Sequence, residues 1–185
     1  MRYHREDVVE RALGVLDDYG LADLSMRRLG QELGVQPSAL YHHFANKQTL
    51  LAALADEILR RGSRPVQAAD WDGRVAETCA ILRDAMLAYR DGAELVATVM
   101  AFGIGAFQPY DDLAAALAGS GLAEELVETA ARTLLHFVLG HTLDEQTHLQ
   151  AGSAGAIDAH PRTGSDFAAG LGLIIDGIRA RVVIG

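Results

Sequence analysis

Ser25-Met-Arg-Arg-Leu29-Gly-Gln-Glu-Leu33-Gly34-Val35-Gln-Pro37-Ser-Ala-Leu40-Tyr-His-His-Phe44-Ala-Asn46-Lys47 is the most informative segment of this chain. It reads as two short helices joined by a tight glycine turn. Leu29, Leu33, Val35, Leu40 and Phe44 are spaced to meet in one small core. Gly34 sits where a helix stop needs a left-handed residue. Pro37 suits the first turn of the helix that follows, about 37–43. Ser25 is placed to cap the first helix and Asn46 the next one after the pair. The polar residues left outward are Gln36, Ser38, Tyr41, His42 and His43. A helix-turn-helix offers such a second helix to the major groove of DNA. One polar residue alone reads as a solvated side chain; five on one short helix beside the turn point to an interface.

Working outward, the whole chain reads as all-α. Residues 5–19 have Val8, Val9, Ala12, Leu13 and Leu16 at amphipathic spacing, and Gly20 ends that helix. A longer helix over about 47–61 carries Leu50, Leu51, Leu54 and Ile58. Gly62-Ser-Arg-Pro65 breaks the chain and sets an expected boundary between a domain at 1–62 and a larger one at 63–185. The second part is expected to contain helices at about 71–90, 92–100, from Pro109 to Gly119, 122–149 and 165–183. A mixed Gly/Ser/His/Pro loop over 151–164 is expected to be mobile. No strand pattern, repeat or low-complexity block competes.

Composition narrows the function. A hydrophobic content of 50% in 185 residues is ample for a packed core. The single cysteine, Cys79, forms no internal disulfide, which fits a reducing cytoplasm. Arg2, Arg5, Glu6 and Asp7 interrupt any signal peptide at the start. The longest apolar run, 95–107, has 13 residues and two glycines, too short to span a bilayer. Net charge is −9, yet its distribution is uneven. Residues 1–64 hold nine Lys/Arg and nine Asp/Glu, while the rest hold seven and 16. The excess acid therefore lies outside the helix-turn-helix part, where Arg27, Arg28 and Lys47 can supply a local positive face. No nucleophile–base pair or Gly-rich phosphate loop suggests an enzyme, and no cofactor is expected.

Leu29-Gly-Gln-Glu-Leu-Gly-Val35, Leu40-Tyr-His-His-Phe44 and Asn46-Lys47 resemble the DNA-binding end of the tetracycline-repressor (TetR) family. Tyr89-Arg-Asp-Gly-Ala93, His136-Phe-Val-Leu-Gly-His-Thr-Leu-Asp-Glu-Gln-Thr-His148 and Phe167-Ala-Ala-Gly-Leu-Gly-Leu-Ile-Ile-Asp-Gly-Ile178 are similar to the ligand-binding half of the tetracycline repressor itself. The resemblance implies a ligand-responsive, dimeric DNA-binding regulator, a repressor, acting on a palindromic operator in the cytoplasm. Arg28 and Lys47 are then phosphate contacts, with Arg27 beside them. Gln36, Ser38 and His42 are candidates for base edges, Ala39 for a thymine methyl, and Tyr41 for the backbone through its hydroxyl. Pro37 and His43 complete the DNA-facing set.

The resemblance also implies a small-molecule cavity. Its candidate lining is Thr78, Leu82, Met86, Val96, Val99, Met100, Phe102, Phe107, Leu113, Leu117, His136 and Phe137. A plain hydrophobic core is the competing reading for each aliphatic member. Tetracycline-binding members carry a metal-binding histidine where this chain has Val96, asparagine and phenylalanine at Thr78 and Leu82, and glutamine at Leu113. Only His136 and the acid at Asp144 persist. Magnesium–tetracycline needs oxygen and nitrogen ligands, so the expected effector is smaller in polarity, with His136 as a polar anchor.

Two further patterns remain. His141, Asp144 or Glu145, and His148 share one helix face at spacings that suit a divalent ion, or simply a polar face. A metal-sensing or ligand-independent dimeric regulator is accordingly the alternative function. Phe167, Leu171, Ile174, Ile178 and Val182 form an apolar stripe on the last helix. Periodicity alone leaves open whether it packs internally or meets a second subunit. The resemblance favours a four-helix dimer interface, to which Leu134 and Val138 of the preceding helix are added.

Overall fold

The computed structural model describes residues 3–153 and 166–182. Among these residues the chain forms nine helices and no strand: α1 (Arg5–Tyr19), α2 (Met26–Leu33), α3 (Pro37–Leu40), α4 (Lys47–Gly62), α5 (Trp71–Leu87), α6 (Gly92–Ala101), α7 (Gln108–Ala116), α8 (Glu124–Ser153) and α9 (Phe167–Arg179). The all-α reading therefore holds. The loop expected at 151–164 starts later than that, because α8 continues to Ser153; positions 154–164 lie outside the described residues.

Two compact units are built from interleaved segments. The first comprises 1–62 and 85–106; the second comprises 63–84 and 107–185. Residues 85–106, read from sequence as part of the C-terminal domain, thus pack with the N-terminal helices.

In the first unit the three-helix head closes over Val8, Ala12, Leu16, Leu24, Leu29, Leu40, Phe44, Leu50, Leu54 and Ile58, all buried. Leu33 and Val35, expected in the same core, are only half-buried, because they flank the turn at the head's edge. The α2–α3 turn follows its sequence signals. Ser25 Oγ accepts the Arg28 N–H at 3.2 Å, satisfying one free donor of the first turn. Gly34 adopts φ 66°, ψ 31°, a left-handed conformation that costs other residues about 1–2 kcal/mol. Its neighbour Val35 then donates to Gly30 O at 2.9 Å, closing the helix end. Asn46 and Thr49 cap α4 reciprocally: Asn46 Oδ1 accepts the Thr49 N–H at 2.9 Å, and Thr49 Oγ1 accepts the Asn46 N–H at 3.3 Å.

The 85–106 segment is strapped onto this head by polar contacts. Asp91, at φ 55°, caps α6 and accepts the Leu21 N–H at 2.7 Å. Asp17 accepts the Arg90 N–H at 2.9 Å. At the far end Asp56 of α4 accepts the Ala106 N–H at 2.8 Å, and Ala106 is itself left-handed at φ 56°.

The second unit packs α7 and α9 against α8. Arg83 of α5 makes a two-pronged ion pair with Glu145 of α8, and its guanidinium lies 5.3 Å from the centroid of the Phe167 ring. Phe167 stacks on Phe137 at 5.5 Å, with His141 edge-on at 5.3 Å. Arg179 reaches back from α9 to Asp72 at the start of α5.

Candidate nucleic-acid interface and effector residues

The polar ridge beside the Gly34 turn stays outside the core. Gln36, Ser38, Ala39, Tyr41 and His42 are exposed; Pro37, His43 and Lys47 are half-buried. Gln36 is extended at ψ 142°, as the residue before proline must be, and Pro37 opens α3. Regular helix covers only Pro37–Leu40, shorter than the expected 37–43. Past Leu40 the chain tightens into a turn, in which Leu40 O accepts from both His43 N–H and Phe44 N–H. Phe44 is thereby drawn into the core while Tyr41 is left 52% exposed. A large aromatic side chain on a rigid turn, held in water, is an unusual use of apolar surface.

Charge sorting within the head is sharper than the sequence suggests. Arg11 pairs with Glu32 at 2.7 Å. Arg60 and Arg61 share Glu57, and Arg61 also reaches Glu10. The hydrogen bond from Arg60, reinforced by Arg61, holds the Glu57 carboxyl down at about 2 against the opposing effect of burial. Among the described residues, Arg5, Arg27, Arg28 and Lys47 have no carboxylate partner. Among the described residues, four cations thus remain without a carboxylate in a head whose formal charge is zero, three of them flanking the exposed ridge in sequence. Arg5 is a cation that the sequence reading does not single out and the structure adds. Instead Asp7 accepts the His4 N–H, and Arg5 lies 4.8 Å from the Phe44 ring centroid.

The effector candidates separate. Met86, Val96 and Val99 are buried in the first unit, with Met100 half-buried. Thr78, Leu82, Leu113 and Leu117 are buried in the second, where Phe137 is half-buried against Phe167. Phe102 and Phe107 are 63% and 61% exposed, and His136 is exposed on α8. These three do not line a protomer interior, and His136 is not an internal polar anchor. The glycines at 103 and 105 leave the 102–107 segment without a helical face to turn inward, and position 136 falls on the outer face of α8. A cleft of about 480 Å³ in the first unit is lined instead by charged residues, including Asp7, Glu10, Asp17 and Arg61, and does not suit an apolar compound.

The metal-spaced residues of α8 are not brought together. Glu145 is taken by Arg83, and His141 is packed between aromatic rings. Among the described residues no group of three His, Cys, Asp or Glu side chains is placed to hold a metal ion. Cys79 is fully buried, which pushes its thiol up to about 12 and keeps it protonated.

Most of the interface stripe is covered within the protomer. Leu134, Val138, Phe167, Leu171 and Ile178 are buried within the single chain, and Ile174 and Val182 are half-buried. They form the protomer's own α8–α9 core. The faces left open are Thr133, His136, Gly140, Leu143 and Thr147 on α8, and Ala169, Leu173, Gly177 and Ala180 on α9, with Leu173 75% exposed. No described helix is long and apolar enough to cross a membrane.

Two family models match this chain: "Bacterial regulatory proteins, tetR family" over residues 8–54 and "Tetracyclin repressor-like, C-terminal domain" over 64–163. The crystal structure of Mycobacterium smegmatis BioQ is 43% identical, covering 97% of this chain and 99% of that one, with a TM-score of 0.85. A structure of BioQ with its natural double-stranded DNA operator is equally identical, with a TM-score of 0.84 and coverage of 96% and 99%. The tetracycline repressor class A from transposon 1721 of Escherichia coli is 34% identical over 96% of this chain and 91% of its own length.

Proposed function

Because the chain belongs to the tetR family of bacterial regulatory proteins, we propose a residue-level account of how it reads DNA and answers a ligand. It is a dimeric, ligand-responsive, DNA-binding transcriptional repressor. Each head inserts the Pro37–His43 segment into a major groove. Gln36, Ser38 and His42 meet base edges, Ala39 lies near a thymine methyl, and Tyr41 and His43 border the backbone. Arg27, Arg28 and Lys47 take phosphates, and the N-terminus of α4 adds its free N–H groups. The observation that carries this reading is the coincidence of an exposed ridge with cations that have no carboxylate partner among the described residues.

Two copies present two ridges, so the operator is palindromic. The open α8–α9 face supports pairing through Leu143 and Leu173, with Gly140 and Gly177 allowing close approach. The effector is a fairly apolar small molecule. Val96 and Leu113 are fully buried hydrocarbon where tetracycline-binding members carry polar side chains, and the remaining buried candidates are apolar apart from Thr78. Binding favours a state whose ridges no longer match successive grooves, by the difference in affinity between the two states. The Ala106–Asp56 bond ties the end of the α6 segment to α4 and so couples to the head. The protein is read as cytoplasmic and as a regulator rather than an enzyme.

The test is selection of bound duplexes from a random pool, followed by anisotropy titration at fixed salt. Palindromic half-sites are expected. Tyr41→Ala and Lys47→Ala should lose tight binding while remaining dimeric by size-exclusion chromatography. Undiminished binding by both variants contradicts the proposed face.

A further inference from the structure

Arg28 sits at the third position of α2, its backbone N–H fixed by Ser25. Its guanidinium carbon lies 3.9 Å from the centroid of the Tyr19 ring, at contact distance. Tyr19 is the last residue of α1 and is 38% exposed. Arg28 is half-buried and has no carboxylate partner among the described residues. We propose that Tyr19 is a positioning residue for DNA binding: its ring holds the Arg28 guanidinium in place for a phosphate. This rests on the reading of Arg28 as a phosphate contact.

The chemistry favours a ring over an acid in that role. A carboxylate would consume two of the five guanidinium donors and cancel the charge that phosphate needs. An aromatic face attracts the cation through its quadrupole but offers no lone pair in the ring plane's stead, so the donors stay available. Holding a long side chain before association also reduces the rotamer entropy lost on binding. Arg5 over Phe44 repeats the arrangement in the same head, but Phe44 is a core residue and cannot be removed cleanly. Tyr19 can, because it ends a helix at the surface.

The full-length dimer would be titrated by anisotropy against a labelled random 30-base-pair duplex across a salt series. The variants are Tyr19→Ala, Tyr19→Phe, Arg28→Ala and the Tyr19→Ala/Arg28→Ala double. An exposed cation–π contact corresponds to about two- to fivefold in affinity per head, hence about four- to twenty-fivefold for two heads. Tyr19→Ala should lose that factor, Tyr19→Phe should keep it, and Tyr19→Ala should cost nothing further once Arg28 is absent. Arg28→Ala reads the underlying contact separately: the slope of log K against log salt should flatten by about 0.9 per head. An unchanged slope and affinity there means that the phosphate contact itself is wrong. With that contact intact, the positioning role is overturned if Tyr19→Ala matches the parent. It is equally overturned if Tyr19→Ala loses as much without Arg28, or if Tyr19→Phe behaves as Tyr19→Ala.

Discussion

Thr142→Val should make this protein more stable, although it removes a polar group from an otherwise hydrogen-bonded helix. Thr142 lies on α8 with no solvent exposure, and its Oγ1 is the one buried side-chain oxygen or nitrogen without a hydrogen-bond partner among the described residues. Other hydroxyls of the same helix bond back one turn: Thr133 to Thr129 O at 2.8 Å, Thr147 to Leu143 O at 2.7 Å and Ser153 to Leu149 O at 2.9 Å. A buried hydroxyl without a partner costs about 1–3 kcal/mol of desolvation. Valine keeps the shape, replaces the hydroxyl by a methyl, and has nearly the same helix propensity. The net gain should be about 1–2 kcal/mol. For a chain of this size each kcal/mol moves Tm by about 2–4 °C, so a rise of about 2–8 °C is expected. Thermal melts followed by circular dichroism at one fixed protomer concentration measure it, because dimerisation links Tm to concentration. Ser153→Ala is the control; its hydroxyl is exposed, bonded to Leu149 O and away from the open α8 face, and the change should stay within about 0.5 kcal/mol of the parent. A Thr142→Val protein that melts at or below the parent, with the control unmoved, refutes the argument.

Three other outcomes follow from single features. Gly62→Ala should destabilise by about 1–3 kcal/mol in urea titration, since a Cβ there would stand 2.2 Å from Ala85 Cβ and 2.8 Å from its Cα, both part of a rigid helix. Glu57 has its carboxyl depressed from 4.5 to about 2 in the folded state. Its stabilising contribution is therefore complete above about pH 4.5 and is lost as pH falls toward 2; in acid titrations Glu57→Gln should flatten that limb and leave neutral-pH behaviour least affected by pH. Leu173→Glu should shift the protein to monomer in analytical ultracentrifugation without lowering helix content, whereas Ile178→Glu should unfold it, because Ile178 is only 7% exposed within the protomer.

Local signals were legible in the sequence because neighbouring residues determine them. Ser25, Gly34 and Asn46 act within three residues of themselves, and each does in the structure what its type and position imply. Helix α1 spans 5–19 as its periodicity indicates. Long-range orientation was not legible in this way. The α9 stripe has the spacing of a buried face whether it is covered by α8 or by another subunit, and periodicity does not name the cover. Phe102, Phe107 and His136 read as pocket residues from type and register, yet the turn at 102–107 and the angle of α8 turn them outward. The DNA-facing charges were partly legible. Arg27, Arg28 and Lys47 lie beside the turn in sequence, but which arginines lose their charge to a carboxylate depends on pairs such as Arg11–Glu32 and Arg61–Glu10, distant along the chain.

The uncompensated cations limit how the repressor searches a chromosome. The four found among the described residues of each head make eight in the two-headed assembly, and if all met phosphates they would contribute about −7 to the log–log salt exponent. The surplus acid elsewhere in the chain adds no adhesion to random sequence. On the proposed reading, discrimination of the target then comes from Gln36, Ser38 and His42 at base edges rather than from these charges. Eight such contacts belong to the range that loses about 10³–10⁵ in affinity between 50 and 200 mM salt, so the hold on unrelated sequence would weaken steeply as salt rises.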